Sequence, residues 1–439
     1  MTNKSLPRES LEAHKRLQGE ASPEVIRAVL SLRELRLTAG SKFRDPSSTL
    51  LLPKGLEQAT DGRVARWRAA ELSRLAPGRP TWDCTSGLGS DALACAEHNI
   101  EVLLSDADPA VAAIAAHNLA QATGHPAPAF AGDATQPPLR VAGDWLLLFD
   151  PDRRATATAT DRGRPGGGRR RLDPSDFAPP IETWPALLAR FSGAAVKLPP
   201  ALDPTDLETT GPLAAFLTQT PHRWVWTEAG GSLRELTLFT GILAPKIEPH
   251  RAAVRLFGPG LPPVGEAPAQ ATLSAEPPPA GGKATPFQVR TPLPAPEAIT
   301  LIAEPRPSAR RAGLAAAACR ALDPSFGPID EGEAYFATTE PAPDACSTNF
   351  VNLFRVLGSA PLDKKKVRRL CREHGIGPLT IKKRGLPESS ATLERQFATK
   401  NGTPGLAIAC PTKSGRRFFL LRTEPGSKVN TLASRPPSS

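Results

Sequence analysis

The sequence predicts an α/β fold. A mostly parallel sheet closes in an antiparallel hairpin, with a helical segment before it and a second α/β module after it. Three observations carry this. Thr81-Trp82-Asp83-Cys84-Thr85-Ser86-Gly87-Leu88-Gly89-Ser90-Asp91 reads as a strand, a glycine turn and the start of a helix. Apolar runs end on polar residues at Glu101-Val102-Leu103-Leu104-Ser105-Asp106, at Asp144-Trp145-Leu146-Leu147-Leu148-Phe149-Asp150-Pro151 and at Ser192-Gly193-Ala194-Ala195-Val196-Lys197. Such runs suit strands buried on both faces of a parallel sheet. Finally, Arg223–Glu228 and Leu233–Phe239 flank Ala229-Gly230-Gly231-Ser232, which reads as a β-hairpin.

Taken in order, residues 1–75 form a helical segment, because Pro23–Leu30 and Val64–Leu72 carry apolar residues at helical spacing. Residues 76–245 form the α/β domain. Within it, Asp108-Pro109 opens the helix after the second strand, with Asp as cap and Pro at the first helical position. The chain holds 49 prolines and 35 glycines, and their excess falls between Pro245 and Pro296, so residues 246–297 are expected to be a linker or irregular. Residues 298–439 form the further α/β module. There Lys364–Arg372 reads as a basic helix closed at Gly375, Leu379–Lys382 as a strand and Phe418–Leu421 as a late core strand.

Composition bounds the rest. A chain of 439 residues holds two to three domains at ~100–200 residues each. It has no run of 18 apolar residues and no apolar leader, so neither a membrane span nor a signal region is expected. Six scattered cysteines lack metal-ligand spacing and read as reduced thiols of a cytoplasmic protein, with no metal. The formal charge is +10, and residues 361–430 carry sixteen Lys or Arg against five Asp or Glu. A basic module on a near-neutral body implies a polyanionic partner, with nucleic acid the expected class.

The glycine turn is a nucleotide-cofactor cradle. Gly87 and Gly89 let the backbone approach a ligand where a side chain would collide with it. Asp83 closes the first strand, Asp106 is placed to accept both ribose hydroxyls, and Asp133 to reach an adenine amine. Read as Gly87-x-Gly89-x-x-Ala92, the turn also fits a dinucleotide. The terminal hairpin favours S-adenosylmethionine over a nicotinamide cofactor.

The chain resembles the bacterial class I methyltransferases that carry a C-terminal THUMP-like domain. Leu56-Glu57-Gln58-Ala59-Thr60, Asp83–Asp91, Asp150-Pro151-Asp152-Arg153-Arg154, Val196-Lys197-Leu198-Pro199, Ala303-Glu304-Pro305 and Thr380-Ile381-Lys382-Lys383-Arg384-Gly385 carry the likeness, in the expected order. It implies a Rossmann-like sheet, an S-adenosylmethionine-dependent methyltransferase acting on RNA, and a THUMP-like domain over 298–439. Thr85 departs from the usual Asp-x-Gly-x-Gly-x-Gly loop at its first glycine.

Methyl transfer from a sulfonium needs no metal, only alignment, water exclusion and a route for a proton. Asp150 ends the fourth strand, where related amine methyltransferases hydrogen-bond the amine being methylated, and is the candidate catalytic residue. Asp152, Arg153 and Arg154 stand where those enzymes have Pro-Pro and an aromatic residue. Arg153 and Arg154 are candidate substrate ligands for a phosphate or carboxylate. So are Lys382, Lys383 and Arg384 in the basic module. The arginine-rich stretch 152–171 reads either as a cationic flap or as a loose insert. Lys197 either contacts substrate or balances Asp150. Glu57, Gln58 and Thr60 either cap the cofactor pocket or lie on a helix surface. His98 and His117 read as packed or exposed rather than catalytic. Two other readings stay open: a non-catalytic RNA-binding protein that retains the fold, and a small-molecule methyltransferase.

Overall fold

The computed structural model describes residues 22–136, 143–153, 177–275, 295–329, 332–341, 349–399 and 401–423. The chain divides into two compact units. One comprises 1–230, 234–248 and 256–270, and the other 231–233, 249–255 and 271–439.

Among the described residues, three helices open the first unit: α1 (Pro23–Thr38), α2 (Pro53–Gln58) and α3 (Gly62–Leu75). Ser22 and Asp61 cap α1 and α3, their side chains accepting from Val25 N and Arg63 N. The α/β part follows, with strands β1 (Thr81–Asp83), β2 (Val102–Asp106), β3 (Ala129–Ala131) and β4 (Leu146–Phe149). A two-residue pair, β5 (Asp152–Arg153) and β6 (Phe177–Ala178), runs antiparallel. Then come β7 (Gly193–Leu198), β8 (His222–Ala229) and β9 (Ser232–Gly241). Helix α4 (Ser90–Glu97) follows β1, α5 (Pro109–Thr123) follows β2, α6 (Trp184–Leu188) precedes β7, and α7 (Pro204–Thr209) and α8 (Ala214–Gln219) lie between β7 and β8.

Over these strands of the first unit the sheet order is β8-β9-β7-β4-β1-β2-β3. Neighbours from β3 through β7 are parallel, whereas β9 runs antiparallel to β7 with Gly193 opposite Gly241. The expected hairpin therefore sits at the end of a parallel sheet. Its two-residue turn, Gly230-Gly231, has φ of 60° and 78°, a conformation that costs glycine little and other residues much. Strand β1 lies between β2 and β4, so the chain leaves the centre in both directions there. Ligands of open α/β sheets bind at that switch point, beyond the carboxyl ends of the strands.

The helical segment packs onto the glycine loop. Leu88 is buried with Ala39, Phe43, Leu51 and Leu56 in one apolar cluster. The Asn118 side chain on α5 bonds three backbone groups: it accepts from Leu50 N at 2.8 Å and donates to Leu50 O and Leu88 O, both at 3.0 Å. Gly55 is needed beneath this contact, since a Cβ there would come within 2.8 Å of Leu88 Cγ.

Between 246 and 297 the structure departs from the irregular segment that composition implied. It forms β10 (Arg251–Leu256) and β11 (Gln270–Ala275). The prolines at 245, 249, 259, 262, 263 and 268 flank these strands and interrupt neither, so the backbone donors each strand needs are kept. Residues 276–294 lie outside the described residues.

The second unit contains β12 (Leu301–Pro305), α9 (Pro307–Arg311), α10 (Ala315–Arg320), β13 (Gly327–Pro328), β14 (Phe336–Thr338), β15 (Val351–Pro361), α11 (Lys364–Glu373), β16 (Ile376–Lys383), α12 (Ser390–Phe397), β17 (Thr403–Thr412) and β18 (Gly415–Thr423). Its sheet has the order β13-β14-β12-β15-β18-β17-β16. Strands β16 and β17 are parallel, the α12 helix falling between them in the chain. Val367 and Cys371 of α11, and Leu393 and Phe397 of α12, pack with Phe418 and Leu420 of β18.

Candidate functional site

The carboxyl ends of β1, β2 and β4 bring Asp83, Asp106 and Asp150 to one side of the sheet, as the registers Asp83–Leu104 and Asp83–Leu148 require. Between β1 and α4 the loop turns through Gly87 at φ 51° and Gly89 at φ 81°. A Cβ on Gly87 would meet nothing within 4 Å, so the loop faces open space there. The Asp106 carboxylate accepts from Gly87 N at 3.1 Å and from Asp108 N at 3.0 Å. Asp133, exposed just past β3, accepts from Thr135 N and Thr135 Oγ1, both at 2.8 Å.

Thr85, which replaces a glycine of the usual loop, has a specific partner. Its Oγ1 accepts from Asp150 N at 2.7 Å, tying the first loop to the end of β4. The extra side chain thus anchors the Asp150 backbone.

Behind this loop lies a buried charge network that motif reading only partly anticipated. Lys197 Nζ donates to Asp150 Oδ2 at 2.5 Å, Thr60 Oγ1 at 2.6 Å and Asp91 Oδ2 at 3.1 Å. Thr60 Oγ1 also donates to Asp91 Oδ2 at 2.8 Å. The Arg68 guanidinium, 1% exposed, bridges Asp91 and Glu235. Glu235 also accepts from Thr237 Oγ1 at 2.7 Å. Burial disfavours charge on Lys197, but Asp150 and Asp91 overcome it and hold the ammonium above its ordinary range. Burial likewise pushes the Asp91 carboxyl up, yet Arg68 and Lys197 bring it down to about 2.

Asp83 behaves in the opposite way. Burial, reinforced by Asp91 and Asp150 and opposed by Lys197, pushes its carboxyl up to about 8. The native protein therefore binds a proton that the unfolded chain releases near 3.8. The contribution from this group is fully present below that lower value and is lost as pH rises through about 8. Chemical denaturation of Asp83→Asn and wild type between pH 5 and 9 checks this. The wild type should lose at least about 1.4 kcal/mol relative to the variant across that range, one pKa unit's worth. Parallel curves would show Asp83 ionised throughout.

In front of the network opens a cleft of about 380 Å³, bordered by Gln58, Thr60, Asp150, Lys197, Pro199 and Arg234 among others. Glu57, Gln58 and Thr60 thus reach the reaction side of the sheet. Sequence reading missed Arg68 and Glu235. The available signal was an arginine within the stripe Val64, Arg68, Leu72, otherwise apolar and four residues apart. Arg153 lies in β5, while Arg154 and residues 155–171 of the arginine-rich stretch fall outside the described residues. In the second unit Lys382 pairs with Glu304 and lies 5.4 Å from the centre of the Phe354 ring. Lys383 Nζ donates to Leu386 O at 2.8 Å, and Arg384 is exposed. His98 is half-buried on the α4 cap and His117 is exposed.

The donor set fits S-adenosylmethionine. Asp83 Oδ2 and Ser86 Oγ are buried beside the loop with no hydrogen-bond partner among the described residues, so polar groups there await a ligand. Gly87 leaves open space for it, and Asp106 retains lone pairs for ribose hydroxyls.

Known proteins agree with this architecture. A crystal structure from Porphyromonas gingivalis W83, provisionally assigned as a methyltransferase, superposes with a TM-score of 0.67 at 16% identity, covering 95% of this chain and 98% of that one. Two curated relatives from Mycobacterium tuberculosis, strains CDC 1551 / Oshkosh and ATCC 25618 / H37Rv, are described as uncharacterised S-adenosylmethionine-dependent methyltransferases. Each is 32% identical over 193 residues, 42% of this chain. The matched stretch spans about half the length of these relatives, 47%. The chain has the fold of class I S-adenosylmethionine-dependent methyltransferases. At its C-terminal end that fold is joined to a THUMP-domain-like segment, matched over residues 351–424.

Among the described residues no helix is long and apolar enough to cross a membrane. Cys84, Cys95, Cys319, Cys371 and Cys410 are buried and form no disulfide among the described residues.

Proposed function

We propose that this protein is an S-adenosylmethionine-dependent methyltransferase acting on RNA. One observation carries the reading: the open glycine loop, with orphaned Asp83 Oδ2 and Ser86 Oγ and the adjoining Asp106, lies on the same sheet edge as the cleft at Asp150. The relatives' description and the THUMP-like match support it. The charge surplus of residues 361–430 supports a polyanionic substrate.

The cofactor supplies a methyl group activated by a sulfonium. Gly87 and Gly89 shape its seat, Asp106 binds the ribose and Asp133 the adenine amine. Asp150 accepts a hydrogen bond from the acceptor nucleophile and orients it. Lys197 Nζ donates to that carboxylate, and Thr85 fixes the backbone behind it. Arg153 and Arg154 remain the candidate ligands for a substrate phosphate, and the basic second unit contacts RNA.

Calorimetry should find S-adenosylmethionine binding in the micromolar range, about 8 kcal/mol, and far weaker NAD binding. Asp106→Ala should lose roughly 1.5–3 kcal/mol for each charge-assisted ribose hydrogen bond. Unchanged affinity in that variant would displace the ribose from this strand end. Mass spectrometry of nucleosides from a deletion strain then identifies the substrate. The loss of one methylated RNA nucleoside is expected, and an unchanged RNA profile would argue for a small-molecule acceptor.

A further inference from the structure

We infer that the outer face of α11, rather than the Lys382–Arg384 turn, is the surface that grips the phosphate backbone of RNA. The inference rests on the RNA reading above and adds a location to it. Six cations, Lys364, Lys365, Lys366, Arg368, Arg369 and Arg372, alone border a concavity of about 610 Å³. At 100° per residue they fall on the arc opposite Val367, Leu370 and Cys371, which pack into the core. The helix is thus seated by one face and presents a continuous cationic surface on the other. Gly358 permits that seating, because a Cβ there would lie 2.7 Å from Leu370 Cδ1.

The contrast with the other basic residues of this unit decides the location. Lys382 is paired with Glu304, Arg416 with Glu388 and Arg417 with Glu297. On α11 the six cations have two acidic neighbours among the described residues, both exposed: Glu373, which stands 3.5 Å from Arg369, and the cap residue Asp363, which feels the charges of Lys365 and Lys366. Arg368 Nε is buried without a hydrogen-bond partner. Like charges packed this densely repel one another, and a bound polyanion relieves that repulsion. Lys364, Arg368 and Arg372 recur every four residues, about 6 Å apart along the axis. That spacing can follow successive phosphates of one strand.

The experiment is a salt titration of binding to a fluorescein-labelled hairpin RNA by the full chain. Wild type is compared with Lys365→Gln/Arg369→Gln/Arg372→Gln and with Lys382→Ala/Lys383→Ala/Arg384→Ala. The first triple replaces exposed residues with good helix formers, and a matching thermal melt verifies that it folds. Each phosphate contact contributes about 0.7–0.9 to the log–log slope. The α11 triple should therefore flatten the slope by roughly two to three units. The 382–384 triple should change it by about one unit or less, since Lys382 is paired with Glu304 and Lys383 Nζ is held at the Leu386 carbonyl oxygen. A wild-type slope in the α11 triple, with the loss appearing in the 382–384 triple, overturns the location and leaves the RNA reading standing. A wild type with no RNA affinity at low salt overturns both. Equal affinity for phosphatidylserine vesicles overturns RNA as the occupant.

Discussion

Arg68→Met is expected to destabilise the first unit by about 3–5 kcal/mol, the usual cost of removing one member of a buried ion cluster. Its guanidinium is fully buried and neutralises Asp91 and Glu235 together. Asp91 would keep Lys197 and Thr60, but Glu235 would keep the Thr237 hydroxyl and lose its bridging cation. A carboxylate with no compensating charge must then stay buried, be protonated or drag water inward. At roughly 2–4 °C per kcal/mol for a unit of this size, the midpoint should fall by on the order of 10 °C. Thermal melts test this directly. The double variant Arg68→Met/Glu235→Gln should recover part of the loss, because it removes the stranded charge as well. An unshifted single-variant midpoint would show the bridge to contribute nothing net.

Asp150→Ala is expected to slow methyl transfer about 10²–10⁴-fold, the range for a group that manages a proton in the transition state, while leaving cofactor affinity nearly intact. The carboxylate is 43% exposed on the cleft side and is held from behind by Lys197, and its backbone by Thr85. A residue so mounted is stationary before substrate arrives, which is where orientation gains its advantage. Loss confined to turnover marks an interaction made with the acceptor at the transition state. Full activity in the variant would assign Asp150 to the charge network alone. A parallel loss of cofactor affinity would assign it to the cofactor seat.

The sheet and its terminal hairpin were legible because their signals are local. Leu146–Phe149 is a run of four buried apolar residues, and Gly230-Gly231 marks the turn by itself. The loop with Gly87 and Gly89 was legible for the same reason. The charge network was not, because its members come from α3, α4, β4, β7 and β9. Arg68 and Glu235 are 167 residues apart in the chain and meet only through the topology. The role of Thr85 was hidden likewise: as a departure from a glycine pattern it looked like a loss, and its partner lies 65 residues away. Proline counting misled between 246 and 297, since composition averages over a segment and cannot show that the prolines spare two short stretches. In the second unit the three-cation turn drew attention by its sequence run, but the acidic partner of Lys382 comes from a strand 78 residues earlier.

The three bonds of the Asn118 amide and the apolar cluster around Leu88 bear on how this protein can be dissected. A fragment cut at the sequence boundary near residue 76 would carry the glycine loop without the backbone and apolar surface that brace it. Leu88 would lose Ala39, Phe43, Leu51 and Leu56, and the Asn118 amide would retain only its link to Leu88 O. The smallest fragment able to present an intact cofactor seat thus starts with α1, ahead of the sheet it serves. Failure of a shorter fragment to bind cofactor would then report a severed brace and say nothing about the chemistry of the loop.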